Sequence, residues 1–382
     1  MLDKIHSDLA KHQTMKIGLL DTTIIGQPGS MRRYREQLEA CLRDHGGGSV
    51  EVSTEYLGCE KQQLDKVPAR IRMWWHHRHV WSRARKSNLQ EYDAVHLLDG
   101  SFGYVCSAVK HPNVVSTVHD VIPRLQMDGQ FPGAPPVGRG ARWLINRSLA
   151  GIQNAVLAVA DSQSTADDLK QFGVSPRHGI QVVPLAIEPE LFTIVPESSA
   201  VKLPTQQPYL LHLGNNGFYK NRIGAIEVMG RLAETTQLHL VMAGPPVTGT
   251  LQSLIEQFNM GKRVHFCDFP SQAELASLYQ NASSLIFPSL YEGFGWPPLE
   301  AMAAGCPVVC SDAGSLPEVA GDAGVVVPST DYDAMAEACR RIAEDGKFRA
   351  ELIERGQRQI EKFSTQLLAE KMLDAYQLAT KH

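Results

Sequence analysis

The chain has 382 residues, with 37 Lys+Arg against 41 Asp+Glu and a formal net charge of −4. At ~100–200 residues per domain this length gives two or three domains. Hydrophobic residues make up 43% and charged residues 20%, which excludes a disordered or low-complexity chain, and the slightly acidic balance excludes a globally basic nucleic-acid binder.

Residues 1–14, MLDKIHSDLAKHQT, carry charge throughout and lack the apolar centre of a signal peptide. They read as an extension outside the fold. From there short apolar runs alternate with helical patterns. MKIGLLD, YDAVHLLD, NVVSTVHD, AVLAVADS and GIQVVPLAI are apolar on both faces and bounded by Gly, Pro, Asp or Asn. Such runs suit parallel strands covered on both sides. Met31 to Arg43 and Ser162 to Phe172 have helical spacing between them. Within this first series lies RIRMWWHHRHVWSRARK, Arg70 to Lys86, with six Lys/Arg, three His and three Trp. Helical spacing puts Ile71, Trp74, Arg78 and Trp81 on one face. That face either packs on the sheet through its Trp residues or meets an anionic lipid or a diphosphate-linked acceptor. No element of a nucleic-acid-binding fold accompanies it.

After Pro196 a polar stretch, ESSAVKLPTQQP, reads as a linker. The same alternation then restarts with YLLHLGN, LHLVMAG, RVHFCDF, SSLIFPS, CPVVCSD and AGVVVPS. Two successive series predict an α/β protein of two Rossmann-like, doubly wound domains facing a central cleft, over about 15–195 and 200–363. Ser364 to His382 forms one last amphipathic helical pattern. No apolar run approaches the ~18 residues that a membrane helix needs. Seven cysteines are too few and scattered for a disulfide framework. Cys306 and Cys310 have no His or Cys neighbours to complete a zinc tetrad, so they read as buried thiols in a reduced, cytoplasmic setting.

Ligands of open parallel sheets bind beyond the carboxyl ends of the strands. The stretch there with most chemistry is IFPSLYEGFGWPPLEAMAAGCPVV. A strand ends near Ser289, Glu292 follows, then Gly293 and Gly295, then a proline-led helix start with Glu300 in its first turn. Glycines let main-chain N–H groups approach a ligand, and the helix start adds a positive dipole end. Two carboxylates eight positions apart flank this anion-friendly turn. The pattern suits a sugar diphosphate: carboxylates accept from hydroxyls while N–H groups hold phosphate. Asp331-Tyr332-Asp333 is formally a D-x-D metal motif, but it precedes a helical pattern, where Asp serves as a helix-start residue. No other cluster has metal-ligand spacing.

The string EGFGWPPLE resembles the Glu–seven residues–Glu hallmark of glycosyltransferase family 4, the retaining nucleotide-sugar enzymes of the GT-B fold. GNNGFYKN at Gly214 to Asn221 resembles the phosphate loop of the second domain, and STVHDVIP at Ser116 to Pro123 the cleft histidine segment of the first. The resemblance spans about residues 15–382. It implies that Glu300 accepts the ribose hydroxyls, that Glu292 meets hydroxyls of the transferred sugar, and that the N–H groups of Phe294 and Gly295 sit near the sugar or distal phosphate. It also implies that Lys220 neutralises the diphosphate, that His119 faces the donor sugar, and that the final helix packs back on the first domain. Two departures stand out. Many members carry an arginine in the phosphate loop where this chain has Asn215 or Tyr219, leaving Arg222 as a candidate for the charge. The first-domain loop reads GSMRRY, with Ser30 and Arg32 where the family has glycines; Ser30 still allows close approach to acceptor or phosphate.

The resemblance implies a retaining, metal-independent hexosyltransferase that uses no cofactor beyond its nucleotide-sugar donor, with GDP-mannose as the favoured donor. The acceptor is a glycan or a polyprenyl-diphosphate-linked one, and peripheral contact with the inner face of the cytoplasmic membrane is expected. A nucleotide-sugar epimerase and a non-enzymatic sugar-nucleotide binder are the alternatives.

Overall fold

A computed structural model describes residues 14–193 and 203–381; the N-terminal extension, except Thr14, the first half of the polar linker and His382 lie outside the described residues. The chain divides into two units. The first takes the residues up to Gln130, Pro135–Ala186 and the C-terminal stretch from Thr365; the second takes Phe131–Ala134 and Ile187–Ser364.

The first unit holds a six-stranded parallel sheet. Its strands are β1 (Met15–Asp21), β2 (Val50–Tyr56), β3 (Ala94–Leu97), β4 (Val114–Val118), β5 (Leu157–Ala160) and β6 (Ile180–Val182), in the spatial order β2-β1-β3-β4-β5-β6. β1, β3, β4 and β5 are the apolar runs of the sequence, and β3, β4 and β5 are buried along their full length. The sequence reading missed β2. Its residues VEVSTEY are mostly polar because it is an edge strand, with alternate residues exposed. Ile17–Leu20 pair with Ala94–Leu97 on one side of β1, and Met15–Asp21 with Val50–Tyr56 on the other. The winding therefore reverses between β1 and β3, which puts the loops after Asp21 and Leu97 at a switch point.

Helix α1 (Ser30–His45) buries Tyr34, Leu38 and Leu42. Helix α2 (Arg72–Lys86) buries His76, Val80 and Ala84, one stripe at i, i+4, i+8. Of the two readings of the face of Ile71, Trp74, Arg78 and Trp81, packing on the sheet does not hold, because most of it is on the outside: Ile71 and Arg78 are exposed, Trp74 is 62% exposed and Trp81 is half-buried. The small stripe wins because Val80 and Ala84 fit the sheet without the bulk of an indole. Helix α3 (Arg139–Ile152) lies tight against the segment Gly100–Ser107. A Cβ on Gly151 would meet Gly103 O at 2.4 Å, so only glycine permits this approach. Helix α4 (Gln163–Gln171) follows β5, capped by the Ser162 side chain.

In the second unit the strands are β7 (Tyr209–Leu213), β8 (His239–Gly244), β9 (Val264–Asp268), β10 (Ser284–Phe287), β11 (Val308–Ser311) and β12 (Gly324–Val327), all parallel in the order β12-β11-β10-β7-β8-β9. The sequence builds outward from β7 to β9, then returns to β10 on the other side, so the switch point lies between β7 and β10. Helices α5 (Arg222–Leu232), α6 (Trp296–Ala303), α7 (Tyr332–Glu344) and α8 (Gly346–Ile360) belong to this unit. Met229, Met242, Ile286 and Val309 sit in its core, all at most 1% exposed. The last helix, α9 (Thr365–Ala379), belongs to the first unit, where it packs on α1. Among the described residues no helix is long and apolar enough to cross a membrane.

Candidate active site

The second unit gathers its charged groups where β7 and β10 end. After β7 the chain turns through Phe218–Lys220 to Asn221, whose φ of 47° is left-handed, a conformation asparagine tolerates better than most residues. The Asn221 side chain accepts from Gly224 N at 3.0 Å, capping α5, and donates to Pro288 O at 2.9 Å. One side chain thus fixes the loop after β7 against the loop after β10. Lys220 Nζ consequently donates to both carboxylate oxygens of Glu292, at 2.8 and 2.9 Å. Ser289 Oγ donates to the same carboxylate at 2.7 Å. Their side chains are only 14% and 8% exposed. The sequence assigned Lys220 to phosphate and Glu292 to sugar hydroxyls; the structure brings the two together as a buried ion pair.

The backbone after Glu292 is clamped from the loop beyond β11. Ser315 N donates to Glu292 O at 3.0 Å, and its hydroxyl shares one hydrogen between Glu292 O at 3.0 Å and Phe294 O at 2.5 Å. Gly314, at φ +60°, passes so close that a Cβ would meet Glu292 O at 2.3 Å. Gly295, at φ +102°, then starts α6. The Phe294–Gly295 turn is therefore held at a helix N-terminus, the arrangement that binds anions. Glu300 is placed differently from its expected first-turn position. Trp296 and the two prolines fill that turn, and no acidic residue stands in it. Glu300 lies two positions further in, 3% exposed, and accepts from the Tyr279 hydroxyl at 3.0 Å. A helix-dipole role does not account for a carboxylate buried there.

Asn215 is exposed and shapes the loop after β7: its Oδ1 accepts from Gly217 N at 2.8 Å. Arg222 does not offer its charge at the surface. It is 5% exposed, donates to Asn216 and, at 3.0 Å, to Pro245 O, and its Nε and Nη2 are buried without hydrogen-bond partners. Asp331 caps α7 by accepting from Ala334 N at 3.0 Å, and Asp333 pairs with Arg231 at 2.6 Å. Among the described residues no group of three or more His, Cys, Asp or Glu is arranged to hold a metal.

In the first unit His119 follows β4. Its Nδ1 lies 2.6 Å from Asp161 Oδ2 and its Nε2 2.8 Å from Leu98 O. Both partners are acceptors, so both nitrogens carry hydrogen and the ring is a cation. Burial opposes that charge, but the Asp161 carboxylate more than offsets it and raises the His119 pKa to about 9. The ring is thus a fixed charge rather than a free base. Sequence reasoning placed Asp161 and Ser289 at strand ends without pairing them to His119 and Glu292, and it missed Tyr279. A Ser or Tyr carries no spacing signal for such contacts. Ser30 is the exposed first residue of α1, in a loop that lines a cavity of about 240 Å³ with Thr22, Arg32 and Phe102. Cys306 and Cys310 are buried free thiols.

Sequence models of two families match the chain: "Glycosyltransferase Family 4" over residues 44–191 and "Glycosyl transferases group 1" over residues 196–359. The chain is 33% identical over 195 residues to the O-antigen chain mannosyltransferase B of Escherichia coli, an alignment covering 48% of this chain and 51% of that protein. It is 32% identical over 236 residues to the MMP alpha-(1->4)-mannosyltransferase of Mycolicibacterium hassiacum, covering 58% and 54%. It therefore spans about half the length of these curated relatives. The solved sucrose-phosphate synthase of Thermosynechococcus elongatus shares the fold with a TM-score of 0.74 at 21% identity, over 95% of this chain and 98% of that one. With family models matching both units and the fold shared along nearly the whole length, the chain belongs to glycosyltransferase family 4 and has the GT-B fold.

Proposed function

We propose that the chain transfers a hexose from a nucleoside-diphosphate sugar to an acceptor hydroxyl, with retention of anomeric configuration. The observation that carries this is the Lys220–Glu292 pair at the switch point of the second unit, beside the clamped start of α6. A diphosphate binding there competes for Lys220 and frees Glu292 to accept from sugar hydroxyls. The ammonium then offsets charge as it develops on the leaving phosphate. The N–H groups of Phe294 and Gly295 assist at the helix start, and Glu300 accepts from the ribose. The leaving phosphate takes the acceptor proton on the same face, and no metal is required because lysine and helix start supply the charge. The first unit, with the cationic His119 and the Ser30 loop, receives the acceptor, a glycan or a lipid-linked one. The basic segment Arg70 to Lys86 supports peripheral contact with an anionic membrane face. The two mannosyltransferase relatives favour mannose from GDP-mannose.

The test is release of nucleoside diphosphate from a panel of nucleotide sugars, with and without EDTA, followed by NMR assignment of the product anomer. We expect release from GDP-mannose that persists in EDTA and is lost in Lys220→Ala. Failure to bind or cleave any nucleotide sugar overturns the reading; loss of activity in EDTA with rescue by Mg²⁺ overturns its metal-free part.

A further inference from the structure

We propose that the groove between α2 and α3 in the first unit binds an apolar chain carrying a phosphate or diphosphate, as the lipid end of the acceptor. That the ligand is an acceptor rests on the transfer reaction proposed above; the groove itself stands on its own geometry. It encloses about 700 Å³, and Trp74, Trp81, Trp143, Met73 and Leu144 give it apolar walls. Trp74 and Trp143 are each 62% exposed and Met73 55%. An apolar patch of this kind on a soluble unit marks a binding surface. Trp81 lies deeper, ring to ring with Tyr104 at 5.8 Å, so the surface is concave and suits one inserted chain better than a flat bilayer.

Charge selects the head group. α2 and α3 together carry eight Lys/Arg and no Asp or Glu, in a chain whose net charge is −4. The Arg147 guanidinium lies between two indoles, 5.0 Å from the Trp81 ring and 5.2 Å from Trp143; Arg78 lies 5.7 Å from Trp74. Stacking holds each guanidinium by its face. Among the described residues neither is in an ion pair, so their N–H edges remain for an anion. A planar fork of donors matches phosphate oxygens. The groove also continues into a cavity of about 410 Å³ lined by Asp99, Ser101 and His119, sharing Met73, His77 and Leu144 with it. A chain seated along the Trp residues therefore leads toward the end of β4.

The experiment titrates the full-length protein with farnesyl diphosphate below its micellar concentration, followed by tryptophan fluorescence and calorimetry. Inorganic diphosphate, farnesol and anionic vesicles are the comparison probes. We expect farnesyl diphosphate to bind at least about tenfold more tightly than either of its halves, since charge and apolar burial each contribute. Trp143→Ala and Arg78→Glu, both at exposed positions, are expected to weaken it about tenfold while the melting-temperature rise given by a nucleotide sugar is unchanged. Equal affinity in the variants and wild type, or binding to vesicles without binding of the soluble amphiphile, overturns the proposal. Farnesyl diphosphate binding without any nucleotide-sugar binding overturns the transfer reaction alone.

Discussion

Lys220 and Glu292 form a pair whose energetics follow from burial. Removing one partner leaves a charge in a site that water barely reaches, which costs about 3–5 kcal/mol, whereas removing both charges costs far less. Lys220→Ala is therefore expected to lower the unfolding midpoint more than Lys220→Met combined with Glu292→Gln; a larger drop in the double variant would contradict the pairing. In the proposed reaction Lys220→Arg is expected to retain more turnover than Lys220→Ala, because charge is the needed feature. In the ribose role proposed for Glu300, Glu300→Ala removes an acceptor for two hydroxyls, about 1.5–3 kcal/mol, so calorimetry should read a roughly 10–150-fold loss of nucleotide affinity. Unchanged affinity would remove Glu300 from the ribose role. His119 sets a pH dependence with a definite sign. Its pKa is raised from the ordinary 6.5 to about 9, so its pairing stabilises the fold fully below 6.5. That stabilisation is lost as pH rises through about 9. The stability difference between wild type and His119→Gln, measured by denaturant unfolding, is expected to be largest near pH 6 and to shrink toward pH 9 and above.

At the scale of elements, what the residues revealed depended on burial. β4 and β10 were readable because both faces are covered, which leaves an unbroken apolar run. β2 was not, because an edge strand keeps Glu51, Ser53 and Glu55 in VEVSTEY. The stretch from Glu292 to Glu300 stood out in the sequence by its glycines and carboxylates, but its internal contacts did not. The pairing of Lys220 with Glu292 spans 72 positions, and only the fold of two loops around Asn221 creates it. The α2 face stayed open for a different reason: helical spacing finds a stripe but cannot say which of two apolar stripes meets the sheet. Nor could spacing anticipate how α9 attaches. The Tyr376 hydroxyl lies 2.8 Å from His96 Nδ1, while His96 Nε2 lies 2.7 Å from Thr117 Oγ1, all buried. Thr117 also meets the Tyr34 hydroxyl at 3.1 Å, and the Tyr34 ring packs edge-on to His119 at 4.8 Å. Burial keeps His96 neutral, with its pKa near 3, so one of its nitrogens must accept and the other donate. Tyr376→Phe strands one buried polar atom and is expected to cost about 1–3 kcal/mol. Chemical denaturation measures this directly; a change below a few tenths of a kcal/mol would show that Tyr376 docks α9 by packing alone.

For the whole molecule, the two units divide the chemistry. Lys220, Glu292, Glu300 and the start of α6 all lie within Ile187–Ser364, while His119, the Ser30 loop and the Trp groove lie in the unit formed by the earlier residues and α9. Each unit has its own core, so ligand binding should protect the unit that carries the contacts. A nucleotide sugar at about 100 times its Kd adds about 2.7 kcal/mol to whatever it binds. Hydrogen exchange reads where that energy appears. We expect GDP-mannose to slow exchange in β7, β10 and α6, at the switch point of the second sheet, and to leave β1, β2 and α1 at their unliganded rates. The slowing is bounded by the same 2.7 kcal/mol, about 100-fold for amides that exchange only through opening of the bound unit. Glu300→Ala should abolish the effect at the same ligand concentration, because the occupancy falls. Protection that appears in the first unit and not around α6 would place the nucleotide on the wrong sheet and sink the assignment of Lys220, Glu292 and Glu300 together.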